Sequence, residues 1–255
     1  MLSMTEIEFH SFLVVTIFVA AALTFVALFF VTAPYGRHLR AGWGPTVPAR
    51  VGWIVMESPA VLLFVAVYSV GDHAMSTVPL ILLGLWQFHY VYRTFIYPFR
   101  IRSSSKRMPV SIVGMAIFFN CINAYINARW ISQFGDYPDA WAASTAFILG
   151  VIVFVVGWVI NQHSDLLLHK LRGPGETGYK IPRGGLYKRV SCPNYLGEML
   201  EWAGWAIAAW SLAGLAFAVF TIANLLPRAI ANHRWYREEF ADYPSERRAV
   251  IPFLL

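Results

Sequence analysis

Three polar side chains at the start of one apolar helix are the clearest candidates for chemistry in this sequence. They are Asn194, Glu198 and Glu201, within the stretch KRVSCPNYLGEMLEW that runs from Lys188 to Trp202. Spacings of four and then three residues place all three on one face of a helix. Because carboxylates are costly in a membrane-length apolar helix unless they bind something, we expect this face to line a binding site.

Polar side chains interrupt other apolar segments at the same helical spacing. Glu57 lies inside one such segment, and four further segments carry stripes with steps of three or four residues. The stripes are Gln87, Tyr90, Thr94 and Tyr97; Asn120, Asn123 and Asn127; Asn161 and Asp165; and Asn224, Arg228, Asn232 and Tyr236. A single polar group in a membrane helix is explained by one interhelical hydrogen bond, worth about 1 kcal/mol. Because six segments direct such groups to one depth, we predict a polar cavity inside a helix bundle, open towards the cytoplasm.

The elements that must position these residues are membrane-spanning helices. Hydrophobic residues make up 58% of the 255 positions and charged residues only 13%, whereas a soluble domain has about 25% charged residues. The sequence therefore predicts an all-α, multi-pass integral membrane protein with one domain, 1–255, and seven transmembrane helices. The apolar stretch 194–231 is too long for one span of about 20 residues, so we place a break at Trp210 and Ser211. The predicted helices lie at about 8–32, 51–70, 78–99, 109–130, 143–163, 194–209 and 212–231.

The positive charges predict the orientation of this bundle. Of the 20 basic residues, 18 lie in the connections 33–50, 100–108 and 164–190 or at the end of the chain, and the three intervening connections contain none. Because basic loops face the cytoplasm, we predict an outside N-terminus and a cytoplasmic C-terminus, in a bacterial inner membrane or the endoplasmic reticulum. The net charge of +6 is then explained by topology. We expect contact with membrane lipid, no nucleic-acid partner and a monomer.

Two sequence patterns suggest dinucleotide binding by a Rossmann fold and metal binding, but neither function is predicted. Residues 173–178 match the pattern G-x-G-x-x-G of dinucleotide-binding folds, but that motif requires a strand before it and a helix after it. A spanning helix precedes the motif here and residues 179–182 include a proline, so a Rossmann fold is excluded. His163 and His169, with Asp165, could suggest a metal, but the two histidines are six residues apart and not at the i, i+4 spacing of histidine ligand pairs on a helix, so no metal site is predicted.

The C-terminal part of the chain resembles the steroid 5α-reductase family. The resemblance rests on short motifs between about residues 160 and 255. They are NQHSD at 161–165, LRGPGE at 171–176, YKIPRGGL at 179–186, VSCPNYLGE at 190–198 with Glu201 and Trp202, WY at 235–236, DYP at 242–244 and IPF at 251–253. A wider superfamily of membrane reductases and related methyltransferases shares these motifs.

The N-terminal part narrows the resemblance to the steroid 5α-reductases themselves. The features that carry it are YGRH at 35–38, Glu57 with Pro59, His89 and Tyr90 followed by Arg93, Thr94 and Phe95, and Tyr137, Pro138 and Asp139 with Trp141. The resemblance implies a seven-helix membrane bundle. It also implies reduction of the 4,5 double bond of 3-keto-4-ene steroids, with NADPH as the cofactor.

Glu57 and Tyr90 are the predicted catalytic residues. Hydride addition to an enone builds negative charge on the carbonyl oxygen, where a positioned hydrogen-bond donor stabilises it. Both residues lie on facing apolar spans at similar depth, and the resemblance implies that they contact the 3-keto group. Either Glu57 is protonated and donates directly, or it accepts from Tyr90 and orients it, and the sequence leaves both possibilities open. Asn120 and Asn123 are expected along the path of the substrate from the lipid.

The cofactor is expected to enter from the cytoplasm and bind the C-terminal half, 131–255, while the helices in 1–130 hold the substrate. The residues that suit its phosphates are Arg172, Arg228 and either Arg102 or Lys106. The residues that suit its amide and riboses are Asn161, Asp165, Asn194 and Glu198. The resemblance adds Tyr35, Arg93, Tyr179, Trp202 and Tyr236, together with Asn232, which stands where some family members carry histidine.

Three alternatives remain from the sequence. The first keeps the fold but reduces another enone lipid, such as an enoyl thioester or a polyprenal. The second is a methyltransferase of the isoprenylcysteine type that uses S-adenosylmethionine, which would not need Glu57 with Tyr90. The third is a transporter or receptor, in which polar groups would continue to the outer face. The sixth span after Glu201 and the first half of the seventh are apolar, which disfavours the third.

Overall fold

A computed structural model of the chain describes residues 4–34, 38, 40–100, 107–171, 173, 176 and 178–255. The structure is 74% helical. The α-helices are α1 (Glu6–Phe30), α2 (Ala49–Tyr68), α3 (Thr77–Val91), α4 (Tyr97–Arg100), α5 (Val110–Arg129), α6 (Thr145–Lys170), α7 (Pro193–Ala209) and α8 (Leu212–Glu239). A π-helical turn, Tyr92–Ile96, joins α3 to α4, and a second, Trp130–Phe134, extends α5. Two 3₁₀ turns, Asp139–Ala143 and Gly185–Lys188, precede α6 and α7.

Within the described residues, five helices are long and apolar enough to cross a membrane. They are Glu6–Phe30, Ala49–Tyr68, Val110–Phe134, Thr145–Lys170 and Leu212–Glu239. Their outward faces are apolar; Leu23 and Phe30 of α1, for example, are 67% and 82% exposed. Large apolar faces of this kind need a lipid environment, so the chain is a multi-pass membrane protein.

The other two predicted spans also correspond to helices, but these are shorter. The α7 helix has 17 residues, and α3 has 15 before the π-helical turn carries the chain on into α4. The predicted break is confirmed: α7 ends at Ala209, and Trp210 adopts the left-handed conformation with φ 44° and ψ 48°. The Ser211 side chain then caps α8 by accepting from the Gly214 amide at 2.9 Å. Whether all seven helices span the membrane stays a prediction.

Helices α6 and α7 pack backbone against backbone because glycines occupy their interface. A Cβ atom on Gly157 of α6 would lie 2.6 Å from the carbonyl oxygen of Gly197 on α7. Two turns further along, a Cβ atom on Gly204 would lie 2.6 Å from the Gly150 carbonyl oxygen. Small residues let membrane helices approach this closely. The contact holds the polar end of α6 beside the polar start of α7.

The centre of the bundle is a cluster of aromatic side chains from α2, α3, α6, α7 and α8. It contains Phe64, Trp86, Tyr90, Phe154, Trp202, Trp205 and Phe217. Two of its three indole nitrogens donate within the bundle: Trp86 to the Ala60 carbonyl oxygen at 2.8 Å, and Trp205 to Asn127 Oδ1 at 3.0 Å. This cluster fixes α3 against both α2 and α7.

The prediction of an all-α fold missed one small element. Strand β1 (Thr46–Pro48) pairs antiparallel with strand β2 (Arg107–Pro109), and Val47 lies opposite Met108. Each strand ends at a proline that directly precedes a helix, α2 or α5. Proline favours an extended residue before it and the first turn of a helix after it, which explains the strand-to-helix change at both places.

Candidate active site

A cavity of about 1060 Å³ with several charged side chains in its lining lies where the loops meet the ends of the helices. Its volume is at the upper end of the range of about 300–1,000 Å³ that is typical of ligand pockets. The charged residues in its lining are Arg40, Arg93, Arg100, Arg107, Asp165, Lys180, Glu198 and Arg228. Six of these eight side chains carry a positively charged group, so the cavity suits a large anionic ligand.

Four of the predicted site residues meet where α6 packs on α7. Asn194 Nδ2 donates to Asp165 Oδ1 at 3.1 Å, and Asn161 Nδ2 donates to the Asn194 carbonyl oxygen at 3.0 Å. Asn161, Asp165, Asn194 and Glu198 all line the cavity. The close approach of the two helices at Gly157 and Gly197, one turn away, brings these side chains within hydrogen-bond distance.

Glu201 and Trp202 have different surroundings from the other residues of this face. Glu201 is fully buried and accepts a hydrogen bond from Nδ1 of His89 at 2.7 Å. Trp202 is 1% exposed, and its ring packs against Tyr90 at 5.5 Å and Phe217 at 4.3 Å between centroids. Both lie in the aromatic centre of the bundle, behind the wall formed by Asn194 and Glu198.

Two residues of the polar stripe of α8, Arg228 and Tyr236, line the cavity, whereas Asn224 and Asn232 do not. Arg228 donates to Asn224 Oδ1 at 2.9 Å and to the Tyr195 hydroxyl at 3.1 Å, and its guanidinium lies over the Tyr195 ring. Asn232 is 8% exposed, and its Oδ1 accepts from His38 at 3.0 Å. Tyr236 is buried but contributes to the lining. The predicted stripe therefore faces α7 and the N-terminal loop.

The loop before α7 contributes Tyr179 and Lys180 to the cavity. The Tyr179 ring packs edge-on against Trp235 of α8, with centroids 4.9 Å apart. Glu176 Oε2 accepts from Lys180 Nζ at 2.6 Å and from the Gly173 amide at 2.8 Å. The hydrogen bond from Lys180, followed by that from the Gly173 amide, lowers the pKa of the Glu176 carboxyl. The ionised carboxylate helps to hold Lys180 at the rim.

The two predicted catalytic residues lie at the same level on neighbouring helices. Trp86 of α3 donates to the Ala60 carbonyl of α2, and Gln87 Nε2 donates to the Val61 carbonyl at 3.3 Å. In this antiparallel register, Tyr90 is one turn beyond Trp86 and Glu57 is one turn before Val61.

Arg93 connects this pair to the cavity. It lies in the π-helical turn after α3, and such turns are frequent at functional sites. Its Nε is 3.9 Å from Glu57 Oε1, and its Nη2 is 3.5 Å from Glu198 Oε1. The guanidinium also lies 4.9 Å from the centre of the Trp53 ring. Arg93 therefore stands between the deeper carboxylate of α2 and the cavity wall on α7.

Asn120 was predicted to lie on the path of the substrate, and the structure gives it a more specific contact. Its Nδ2 donates to the Met56 carbonyl oxygen at 2.7 Å and to Glu57 Oε2 at 3.3 Å. Asn123 is fully buried beside Asn127, whose Nδ2 donates to Asn123 Oδ1 at 3.0 Å. Both oxygens of Glu57 thus face groups that carry N–H donors.

Four predicted cofactor residues, Tyr35, Arg102, Lys106 and Arg172, lie outside the described residues. Sequence reasoning also missed several residues of the cavity. They are Arg40, Trp43, Trp53, Tyr92 and Tyr195. Tyr195 could have been found, because it directly follows Asn194 in the stretch that opened the search. The others lie in loops or on helix faces where polar residues do not recur at helical spacing.

Comparisons with known proteins show to which family the chain is similar. Residues 106–255 match the family described as 3-oxo-5-alpha-steroid 4-dehydrogenase. The steroid 5-alpha-reductases DET2 of Gossypium hirsutum and Arabidopsis thaliana are 43% and 44% identical to the chain, over 96% of it and 97% of their own lengths. The 3-oxo-5-alpha-steroid 4-dehydrogenase 1 of Rattus norvegicus is 43% identical over 92% of the chain and 91% of its own length.

Proposed function

Because the chain belongs to the 3-oxo-5-alpha-steroid 4-dehydrogenase family, we propose that it reduces the 4,5 double bond of 3-keto-4-ene steroids to give 5α-dihydro steroids. The observation that carries this proposal is that Tyr90 and Glu57 lie at the same level on neighbouring helices, and that Arg93 lies between Glu57 and the basic cavity. Tyr90 and Glu57 suit a ketone oxygen, and the basic cavity suits a large anion.

NADPH fits the basic cavity as the cofactor. Its phosphates would contact Arg228 and the basic rim of Arg40, Arg107 and Lys180, since guanidinium and ammonium groups bind phosphate oxygens. Its amide and riboses would contact the polar cluster on α6 and α7. The residues of that cluster are Asn161, Asp165, Asn194 and Glu198. A bound NADPH supplies the hydride that adds to the β carbon of the enone.

Tyr90 is the proposed donor to the 3-keto oxygen. Its side chain is 4% exposed, and among the described residues no hydrogen-bond acceptor is found for its hydroxyl. The ring is held on three sides by Trp86, His89 and Trp202, with centroids 4.9, 4.9 and 5.5 Å away. A donor fixed in this way requires little reorganisation as charge develops on the oxygen.

Glu57 is the proposed partner that orients Tyr90. Its two carboxylate oxygens face the amide of Asn120 and the guanidinium of Arg93, so its surroundings are those of a hydrogen-bond acceptor. Because the Tyr90 hydroxyl has a single proton, which the ketone oxygen accepts in this proposal, Glu57 acts on Tyr90 electrostatically and does not take that proton. Direct donation by Glu57, one of the two roles that the sequence leaves open, is not part of this proposal.

The proposed arrangement in the membrane has seven spans, an outside N-terminus and a cytoplasmic C-terminus. The basic residues of the cavity all come from segments predicted to lie near the cytoplasm, which is where NADPH is available. The apolar steroid would enter from the lipid between the helices of the N-terminal half. We propose a monomer, because the described residues that line the cavity all come from one chain.

The proposal is tested with membranes that contain the protein and a panel of 3-keto-4-ene steroids. We expect formation of 5α-dihydro products with NADPH and much slower formation with NADH, because the basic cavity favours the additional phosphate. Parallel incubations contain an enoyl thioester and a polyprenal. Turnover of either of these, without turnover of any steroid, would contradict the proposed substrate.

A further inference from the structure

We propose that the buried His89–Glu201 pair is a positioning device that holds the Tyr90 hydroxyl in place relative to the cofactor-binding wall of α7. This inference deepens the proposed function and rests on it. Neither residue lines the cavity, and neither is assigned a chemical role in hydride or proton transfer. Their role follows from what the pair connects.

The pair is short and wholly enclosed. His89 Nδ1 lies 2.7 Å from Glu201 Oε1, and the two side chains are 4% and 0% exposed. The second oxygen, Oε2 of Glu201, has no hydrogen-bond partner among the described residues. Burying a carboxylate with one oxygen unpaired is costly. A pair of apolar side chains would serve helix packing at least as well, so a role other than packing is indicated.

The pair is the deeper of two polar links from α3 and the π-helical turn after it to α7. The second link is Arg93 with Glu198: Arg93 lies in the π-helical turn, four residues beyond His89, and Glu198 lies three residues before Glu201 on α7. The two helices run antiparallel, so the two links lie about one turn apart. Tyr90 lies on α3 between these links, and Glu198 belongs to the cavity wall of α7 that is proposed to bind the cofactor.

The links matter because α3 and α7 meet mainly through side chains. The close backbone partner of α7 is α6, whereas α3 packs more closely with α2 and with its own π-helical turn. The spacing between α3 and α7 therefore depends on the hydrogen bond of His89 and on aromatic rings. His89 packs against Trp202 at 4.7 Å and against Tyr90 at 4.9 Å. Loss of the hydrogen bond would free His89 and Trp202, two of the three rings that hold Tyr90.

The test compares the single variants Glu201→Leu and Glu201→Gln with the double variant His89→Leu/Glu201→Leu. The single Leu variant leaves His89 without its acceptor. The Gln variant removes charge but keeps an acceptor for the His89 Nδ1–H. In the double variant, two apolar side chains replace the buried pair, which commonly restores or increases stability. Thermal unfolding, kcat and KM for NADPH are measured for each.

If the pair has a positioning role, the double variant should keep its stability but lose turnover. We expect its unfolding temperature to equal or exceed that of the wild type, while kcat stays about 10²-fold lower, as follows from a shift of about 1 Å in a catalytic group. KM for NADPH should change little. Glu201→Gln should retain much more of its kcat than Glu201→Leu does. As a control, Asn127→Leu removes another buried polar contact and should lower stability without this loss of kcat.

Two results would overturn the inference while leaving the proposed function intact. One is a stable double variant with the kcat of the wild type. The other, which does not depend on the double variant, is equal kcat for Glu201→Leu and Glu201→Gln. The wild type measured in the same assay separates these from a third outcome: if it turns over no 3-keto-4-ene steroid, the proposed function fails, and the role of the pair fails with it.

Discussion

At the scale of single residues, the site depends on contacts between groups that are far apart in the sequence. Helical spacing predicted that Asn194 and Glu198 share a face, because that relation is local. The same spacing could not predict that Glu201 would bond to His89, 112 positions away. It also could not show that Asn120 would donate to Glu57. Interhelical partners depend on the rotation of each helix, which the periodicity of one helix does not determine.

Removal of either proposed catalytic group should strongly reduce turnover. Tyr90→Phe removes the donor to the ketone oxygen, and Glu57→Gln removes the carboxylate charge that is proposed to orient it. We expect each change to lower kcat by about 10²-fold or more, as loss of one such donor typically does. The matched control is Tyr68→Phe, which removes a buried hydroxyl that donates to the Ala74 carbonyl at 2.7 Å outside the site. Near-normal kcat in Tyr90→Phe or Glu57→Gln would remove that residue from the mechanism.

The role of Arg228 in phosphate binding is separable from catalysis. Charge-assisted hydrogen bonds contribute about 1.5–3 kcal/mol, so Arg228→Gln should raise KM for NADPH about 10-fold to 100-fold. Because the residue does not contact the reacting atoms in this account, kcat should fall much less. Arg183→Gln provides the control, since Arg183 is exposed and lies near Asp242. An unchanged KM in Arg228→Gln would exclude this arginine from the phosphate site.

At the scale of elements, the glycines of α6 and α7 explain why the polar ends of these helices meet. The sequence predicted both helices from their apolar length, and the break after α7 from the excess length of the stretch. It did not predict the π-helical turn that carries Arg93, because a wider turn has no distinct signature in a short apolar pattern. It also did not predict the strands β1 and β2, which are only three residues each.

A methyl group in the α6–α7 interface should destabilise the protein. Gly157→Ala places a Cβ atom against the backbone of Gly197 and Glu201, and overpacking of this kind costs about 1–3 kcal/mol. Gly114→Ala in α5 meets nothing within 4 Å and gains helix propensity. We therefore expect a lower unfolding temperature for Gly157→Ala and an unchanged or higher one for Gly114→Ala. Equal unfolding temperatures would contradict the tight packing of these helices.

At the scale of the whole molecule, the cavity is lined by basic residues from the segments that the charge distribution assigns to the cytoplasmic side. Basic residues were assigned to the cytoplasmic side from their position in the sequence alone, and several of them line one cavity in the structure. Composition was sufficient to predict a helical membrane protein, because apolar length is a property of the chain itself. The shape of the cavity was not predictable, since it depends on how loops and helix ends fold over one another.

The proposed topology can be tested by labelling single cysteines in sealed membrane vesicles of known orientation. Met75 is 85% exposed in a connection predicted to lie outside, and Ser245 is exposed near the C-terminus, which is predicted to be cytoplasmic. A membrane-impermeant maleimide added outside right-side-out vesicles should label Met75→Cys but not Ser245→Cys. The wild type, with Cys121 and Cys192, gives the background. The reverse pattern of labelling would contradict the orientation.

The central claim is tested most directly by following deuterium from the cofactor into the steroid. Purified protein is incubated with a 3-keto-4-ene steroid and NADPH that carries deuterium at the transferred position, and the product is analysed by mass spectrometry and NMR. The account predicts a 5α-dihydro steroid with one deuterium at C5, the β carbon, and ordinary hydrogen from water at C4. A product without deuterium at C5, or no steroid product from folded protein, would contradict it.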